Sequence, residues 1–391
     1  MLRLCVLVSA AAFTSSVWAE NPSTQPATQP AAEPIPTQRE AGILSDIRQL
    51  TFGDQFDRAG EAYFSPDMTQ IIFQGVPKGE KQYQMYIMRI ADRSFQQTNL
   101  LRLEQISAEP SRNTCGWFAP VGKTILFAST AGKEVADEPT AGYQREGRDY
   151  RWSYPSGMEL WKLTYDLHDS SPVTTAPVLD PNSNQVASTP AAFNPELVTR
   201  RTALTDNTAY DAEGSFSPDG KHIIFTSNRT GDLELYAMKA DGTGVVQLTK
   251  TPGYDGGPFF SPDGKRICYR SDRKSNNLLQ VFTSDVVYNE QGNITGLTNE
   301  KQLTDDPNVN WGPFWHPNGG WIAWSTSKHG HANYEVYLMR DDGTEKTRVT
   351  YAAGADVLPA FSPDGKYMIW SSKRTSDNTT QVFVGKFKLP E

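Results

Sequence analysis

Cysteine is scarce in this chain, three in 391 residues, and that scarcity excludes a small scaffold stapled by disulfides. Cys5 lies near the start, while Cys115 and Cys268 stand at apolar positions far apart, where two buried free thiols are expected in preference to a bridge. Long apolar runs are missing as well. The run from Leu4 to Phe13 is too short for a permanent membrane span, and no other segment qualifies. G-x-S-x-G, H-E-x-x-H, C-x-x-C and a glycine-rich phosphate loop are absent, and the five histidines do not visibly converge. A formal charge of −8 argues against nucleic acid and anionic membrane as partners.

What is present begins with a secretory pattern. Arg3, the apolar core and Val17-Trp18-Ala19 read as a signal peptide over residues 1–19, so a periplasmic or secreted chain is expected. Residues 20–41, rich in Pro, Thr, Gln and Ala, bury too little to offset their ordering entropy and read as a flexible tether.

From residue 42 to 391 one pattern recurs. Phe216-Ser217-Pro218-Asp219-Gly220 has counterparts around Pro66, Pro120, Pro262, Pro317 and Pro363, at intervals of 44 to 55 residues with one of 98. Proline presets the first corner of a turn and glycine takes the positive φ that ends it, so each copy predicts a hairpin. An apolar triplet follows each turn, as in Ile223-Ile224-Phe225, and an uninterrupted apolar strand must be covered on both faces. A third strand such as Leu235-Tyr236-Ala237-Met238 comes next. The fourth ends in Leu204-Thr205, Leu248-Thr249, Leu303-Thr304 or Val349-Thr350, with Gln97-Thr98 taken as the copy in the first unit. Four short strands in about 45 residues is the period of a propeller blade. The expected fold is all-β, a six-bladed propeller of four-stranded antiparallel blades. The last unit stops after three strands and residues 46–51 supply a spare fourth, so an N-terminal strand is expected to close the ring. The long interval places insertions at 131–156 and 167–198 in the second blade.

The Leu-Thr closing strand, the Ser-Pro-Asp-Gly turn and the Ser and Arg after the triplet (Ser227 and Arg229, Ser271 and Arg273, Ser372 and Arg374) together resemble the TolB-like propeller repeat. The resemblance implies an exported propeller that binds envelope proteins, a peptidoglycan-associated lipoprotein being the model, with calcium in the central channel; a monomer is expected. It also implies an α/β domain ahead of the propeller, where this sequence has the Pro-rich stretch.

Seven residues before five of the landmark prolines stand Asn113, Asp211, Asp255, Asn310 and Asp356. Opening the innermost strands, they are expected to ring one mouth of the channel and bind a partner there. Asp211, Asp255 and Asp356 would then be the oxygen donors for calcium. The competing reading is that each caps its own turn. In the first insertion Tyr143, Arg148, Tyr150 and Trp152 interleave aromatic and basic residues as binding surfaces do, either as a docking loop or as anchors of the loop to its blade. His329 and His331 form a possible metal pair, but His329 falls where sister repeats carry arginine. The function these features support is a non-enzymatic protein-binding scaffold or sensor of the cell envelope. The alternative is a propeller enzyme acting on carbohydrate or peptide from scattered channel residues.

Overall fold

The computed structural model describes residues 40, 42–90, 95, 102–107, 110–131, 133, 142–146, 149–167, 193–274 and 276–390, at 142–146 and 149–153 as backbone. The expected signal peptide, residues 20–39 and most of the 167–198 insertion lie outside the described residues. Six four-stranded antiparallel sheets form the blades. Their innermost strands, Phe56–Phe64, Asn113–Phe118, Asp211–Phe216, Asp255–Phe260, Asn310–Trp315 and Asp356–Phe361, touch in cyclic order, the sixth returning to the first. No described helix is long and apolar enough to cross a membrane.

The local chemistry of one blade repeats around the ring. In the third, Ser217 Oγ donates to Asp219 Oδ1 (2.6 Å) and accepts from the His222 N–H (3.0 Å), while Gly220 takes φ +71°. The triplets that follow these turns are at most 3 % exposed in every blade. Each Ile, Leu, Phe or Met among them contributes about 1.5–3 kcal/mol by leaving water. At the outer edge, Thr249 Oγ1 accepts the Leu235 N–H (2.9 Å), and Thr205, Thr304 and Thr350 do the same for Leu160, Val281 and Val336. In the first blade this acceptor is Ser107, bonded to the Met85 N–H. The fourth strand there is Arg102–Gln105, so Ile106-Ser107 is the counterpart and not Gln97-Thr98, which lie outside the described residues. Serine in place of threonine hides the copy from a Leu-Thr pattern.

Ring closure uses the same parts. Leu44–Gln49 pairs antiparallel with Gln381–Phe387, and Thr51 Oγ1 accepts the Val382 N–H at 2.9 Å. The first residue of five inner strands donates its N–H to a carbonyl ahead of the previous blade's third strand: Asn113 to Tyr83, Asp211 to Met158, Asp255 to Leu233, Asn310 to Leu279, Asp356 to Tyr334. Ala59 donates to Thr380 in the same way. The joint between the two ends of the chain is therefore chemically like the other five. Glu40 adds a latch, its buried carboxylate accepting from the Tyr351 N–H (2.8 Å) and the Arg374 guanidinium (3.2 Å).

Both cysteines are free and buried.

Candidate functional site at the channel mouth

Asn113, Asp211, Asp255, Asn310 and Asp356 open the inner strands, but they do not ring the mouth. Each is at most 1 % exposed, and of the five only Asn113 borders the channel cavity. Their side chains are spent inside the blades. Asp211, Asp255 and Asp356 hold Arg229, Arg273 and Arg374 at 2.9, 3.2 and 2.8 Å, and each arginine is steadied through Nε by Ser227, Ser271 or Ser372. Where the arginine is missing, the acid is missing too. The equivalent positions are Ala131 opposite Asn113 and Lys328 opposite Asn310, so His329 stands one residue past the arginine place that the repeat pattern assigned to it. Asn113 Oδ1 accepts from Ser129 (2.7 Å), and Asn310 Oδ1 from the Trp324 indole (2.9 Å). A buried carboxylate without its counter-charge costs several kcal/mol, which fits the pairing of each Asp with an Arg; opposite Asn310, Lys328 lies over the Tyr337 ring, 5.9 Å from its centroid.

The same accounting corrects the calcium expectation. Asp211, Asp255 and Asp356 sit in separate blades, each engaged by an arginine, and among the described residues no three His, Cys, Asp or Glu side chains gather as metal donors. Calcium needs six to eight oxygens, so these residues do not fit it. His329 Nε2 bonds the Tyr337 hydroxyl (2.7 Å), while His331 faces Tyr334 (3.5 Å); the two histidines serve different tyrosines.

The channel mouth is built instead from the third residue of five inner strands and from Glu61, in the same register of the first. Every inner strand carries a bulge, and the residue at this register has positive φ: Glu61 (49°), Cys115 (55°), Glu213 (55°), Gly257 (59°), Gly312 (59°) and Leu358 (55°). Bulges re-aim side chains, and non-glycine residues in this region gather where surrounding structure holds them for a purpose. A sequence signal existed: Gly257 and Gly312, each followed by proline, are in register with Glu61, Cys115 and Glu213.

Two residues deeper, the side chains meet. Tyr63, Trp117, Phe259 and Phe314 come from four different blades, and all six pairs of rings lie 4.8 to 5.9 Å apart. Ser215 and Ala360 occupy the same place in the other two blades and leave room for them. The aromatic cluster forms a floor. Above it lies a cavity of about 860 Å³, lined by the six bulge residues or their neighbours and by Tyr83, Tyr210, Tyr254, Arg270 and Trp311.

The polar groups of this cavity are unequally satisfied. Glu213 accepts from Arg270 Nη2 (2.6 Å), the Tyr254 hydroxyl (2.7 Å), the Gly257 N–H (2.7 Å) and Thr226 Oγ1 (2.9 Å). Among the described residues, Glu61 is hydrogen-bonded through its side chain by two neutral groups, the Cys115 thiol and the Tyr63 hydroxyl, and feels the Arg270 charge without a bond to it. Burial first, and then the charge of Glu213, raises its carboxyl to about 7. Burial also pushes the Cys115 thiol well above its ordinary range, so this cysteine is not an activated nucleophile.

Tyr143, Tyr150 and Trp152 fall on a two-stranded hairpin, Gly142–Glu146 with Asp149–Ser153, in which Tyr143 is opposite Trp152. Arg148 lies outside the described residues. The hairpin runs into the cavity wall, where Tyr154 lies 5.3 Å from Tyr210.

Residues 167–307 match the family model of the TolB beta propeller domain. The propeller is TolB-like. A TolB homolog of Chlorobium luteolum is 29 % identical over 171 residues, 44 % of this chain and 35 % of its own length. The chain thus spans about a third of the length of the curated relatives it matches. Among solved structures, TolB from Acinetobacter baumannii shares 16 % identity at a TM-score of 0.46, over 85 % of this chain and 64 % of its own. An oligogalacturonate lyase from Vibrio parahaemolyticus shares 11 % at 0.47, over 89 % and 96 %.

Proposed function

We propose that this TolB-like propeller is an exported, non-enzymatic binding scaffold of the cell envelope that receives a segment of a protein partner in its channel mouth. A partner of the peptidoglycan-associated lipoprotein kind suits this reading. The observation that carries it is the aromatic floor. With the lumen stopped by Tyr63, Trp117, Phe259 and Phe314, the space above is a receptacle open at one face and not a pore. Its volume matches that of sites enclosing a few side chains, and its mix of rings and charges suits recognition of a peptide segment. The test is capture of partners from the host's envelope extract on the tagged protein, compared with an Arg58→Ala, Tyr154→Ala double variant at the rim. Loss of a specific envelope protein from the variant supports the reading; capture that is unchanged moves the binding site elsewhere.

Glu61 favours one second reading. A carboxyl near neutrality in a lumen suits general acid–base work on carbohydrate or peptide. Turnover of a polysaccharide or peptide library that disappears in Glu61→Gln would establish the enzyme; binding without turnover leaves the scaffold.

A further inference from the structure

The base of the cavity holds two carboxylates and one guanidinium. Arg270 is taken by Glu213, across a contact in which both side chains are nearly buried. Its charge also acts on Glu61, so one guanidinium is shared between two carboxylates. Gly257 reinforces the arrangement, since a Cβ there would lie 2.0 Å from Arg270 Nη1; the guanidinium is packed against bare backbone. Glu61 has no ion-pair partner among the described residues. Its main-chain N–H is fixed by Ser371 Oγ (3.0 Å), and two residues on along the same strand stands Tyr63, part of the floor. An ionised Glu61 would therefore face π-systems on one side and leave the base with one uncompensated negative charge. The rim does not decide the matter, because Asp57 and Glu80 stand there with Arg58, Lys81 and Arg112.

Resting on the reading of the mouth as the binding site, we propose that its base is a seat for an organic cation, an ammonium or guanidinium group held between the Glu61 carboxylate and the aromatic floor. Such a group supplies the counter-charge that Glu61 lacks and meets the electron-rich faces or hydroxyl of the floor residues. Below neutrality a proton competes for this place. Cation binding consequently displaces that proton to solvent, and affinity rises as pH rises through the neutral range where Glu61 titrates. The titratable or charged groups facing Glu61 are Tyr63 on its own strand, Cys115 on the second blade, Glu213 on the third and Arg270 on the fourth. Tyr63 and Cys115 are pushed up by burial and stay neutral, and Arg270 is pushed further up and stays charged.

The experiment is titration calorimetry of the purified protein with n-butylammonium and n-butylguanidinium, with butyrate as the anionic control. Affinity for the cations is expected to be on the order of tenfold or more weaker near pH 5.5 than near pH 8. Glu61→Gln should lose that affinity and its pH dependence while keeping the unfolding midpoint, and Glu61→Asp should retain the preference for cations. No saturable cation binding, equal binding of butyrate, or an unchanged Glu61→Gln profile overturns the proposal. Partner capture on Glu61→Gln separates this from the broader reading. Capture retained there but lost in the rim double variant leaves the mouth as the site and removes the cation seat; capture unaffected in both removes the mouth.

Discussion

At the residue scale, the same bulge position is filled in two ways, by glycine in two blades and by strained non-glycine residues in four. Gly257 and Gly312 share the backbone conformation yet not the surroundings. A Cβ at 257 would strike the Arg270 guanidinium at 2.0 Å, whereas at 312 the nearest atom is a Leu358 methyl at 3.1 Å. Both alanine variants incur the positive-φ cost of about 1–2 kcal/mol. Gly257→Ala should in addition dislodge Arg270 from Glu213 and cost about 3–5 kcal/mol in all, by the measure of a broken buried pair. Urea denaturation of the two variants side by side checks the difference; equal losses would mean that the Arg270 contact contributes nothing.

The blade is the next scale, and its outer fastener is a hydroxyl. Thr249 accepts a main-chain N–H that has no water to turn to, and donates to Glu234 Oε2 (2.6 Å). Thr249→Val keeps the shape and removes the acceptor, which should cost about 1–3 kcal/mol. Thr249→Ser should be within about 1 kcal/mol of the parent, because Ser107 already performs the task in the first blade. Thermal unfolding of the pair reads both. The element scale is also where the sequence reading succeeded most: turn, triplet and closing hydroxyl are local devices, spelled by adjacent residues.

For the whole molecule the closing joint matters most. Residues 42–52 contribute a strand, the Thr51 fastener and the approach to the Glu40 latch. Their deletion leaves the sixth blade's Gln381–Phe387 strand as an open edge and should replace one cooperative melting transition by a broad one of lower midpoint. A deletion variant that melts like the parent would show that the N-terminal strand is dispensable. The candidate site belongs to this scale too. Glu61, Cys115, Glu213 and Arg270 stand on four blades, separated by up to about 200 positions in the chain.

Local sequence alone determined the blade count, the turn chemistry, the buried triplets and the strand that closes the ring, because each is written in neighbouring residues whose φ preference or apolar face admits one use. It also offered both roles for the Asx residues and could not choose between them. The tertiary structure decided that choice by bringing Arg229, Arg273 and Arg374 within reach of the acids, which then have no charge left for a ligand. It alone decided the mouth. A bulge turns Glu61 into the lumen, four rings from four blades close the floor, and the Arg270 guanidinium at its base is bonded to Glu213. Those facts depend on which blades face one another across the channel, and no stretch of sequence shorter than the whole ring contains them.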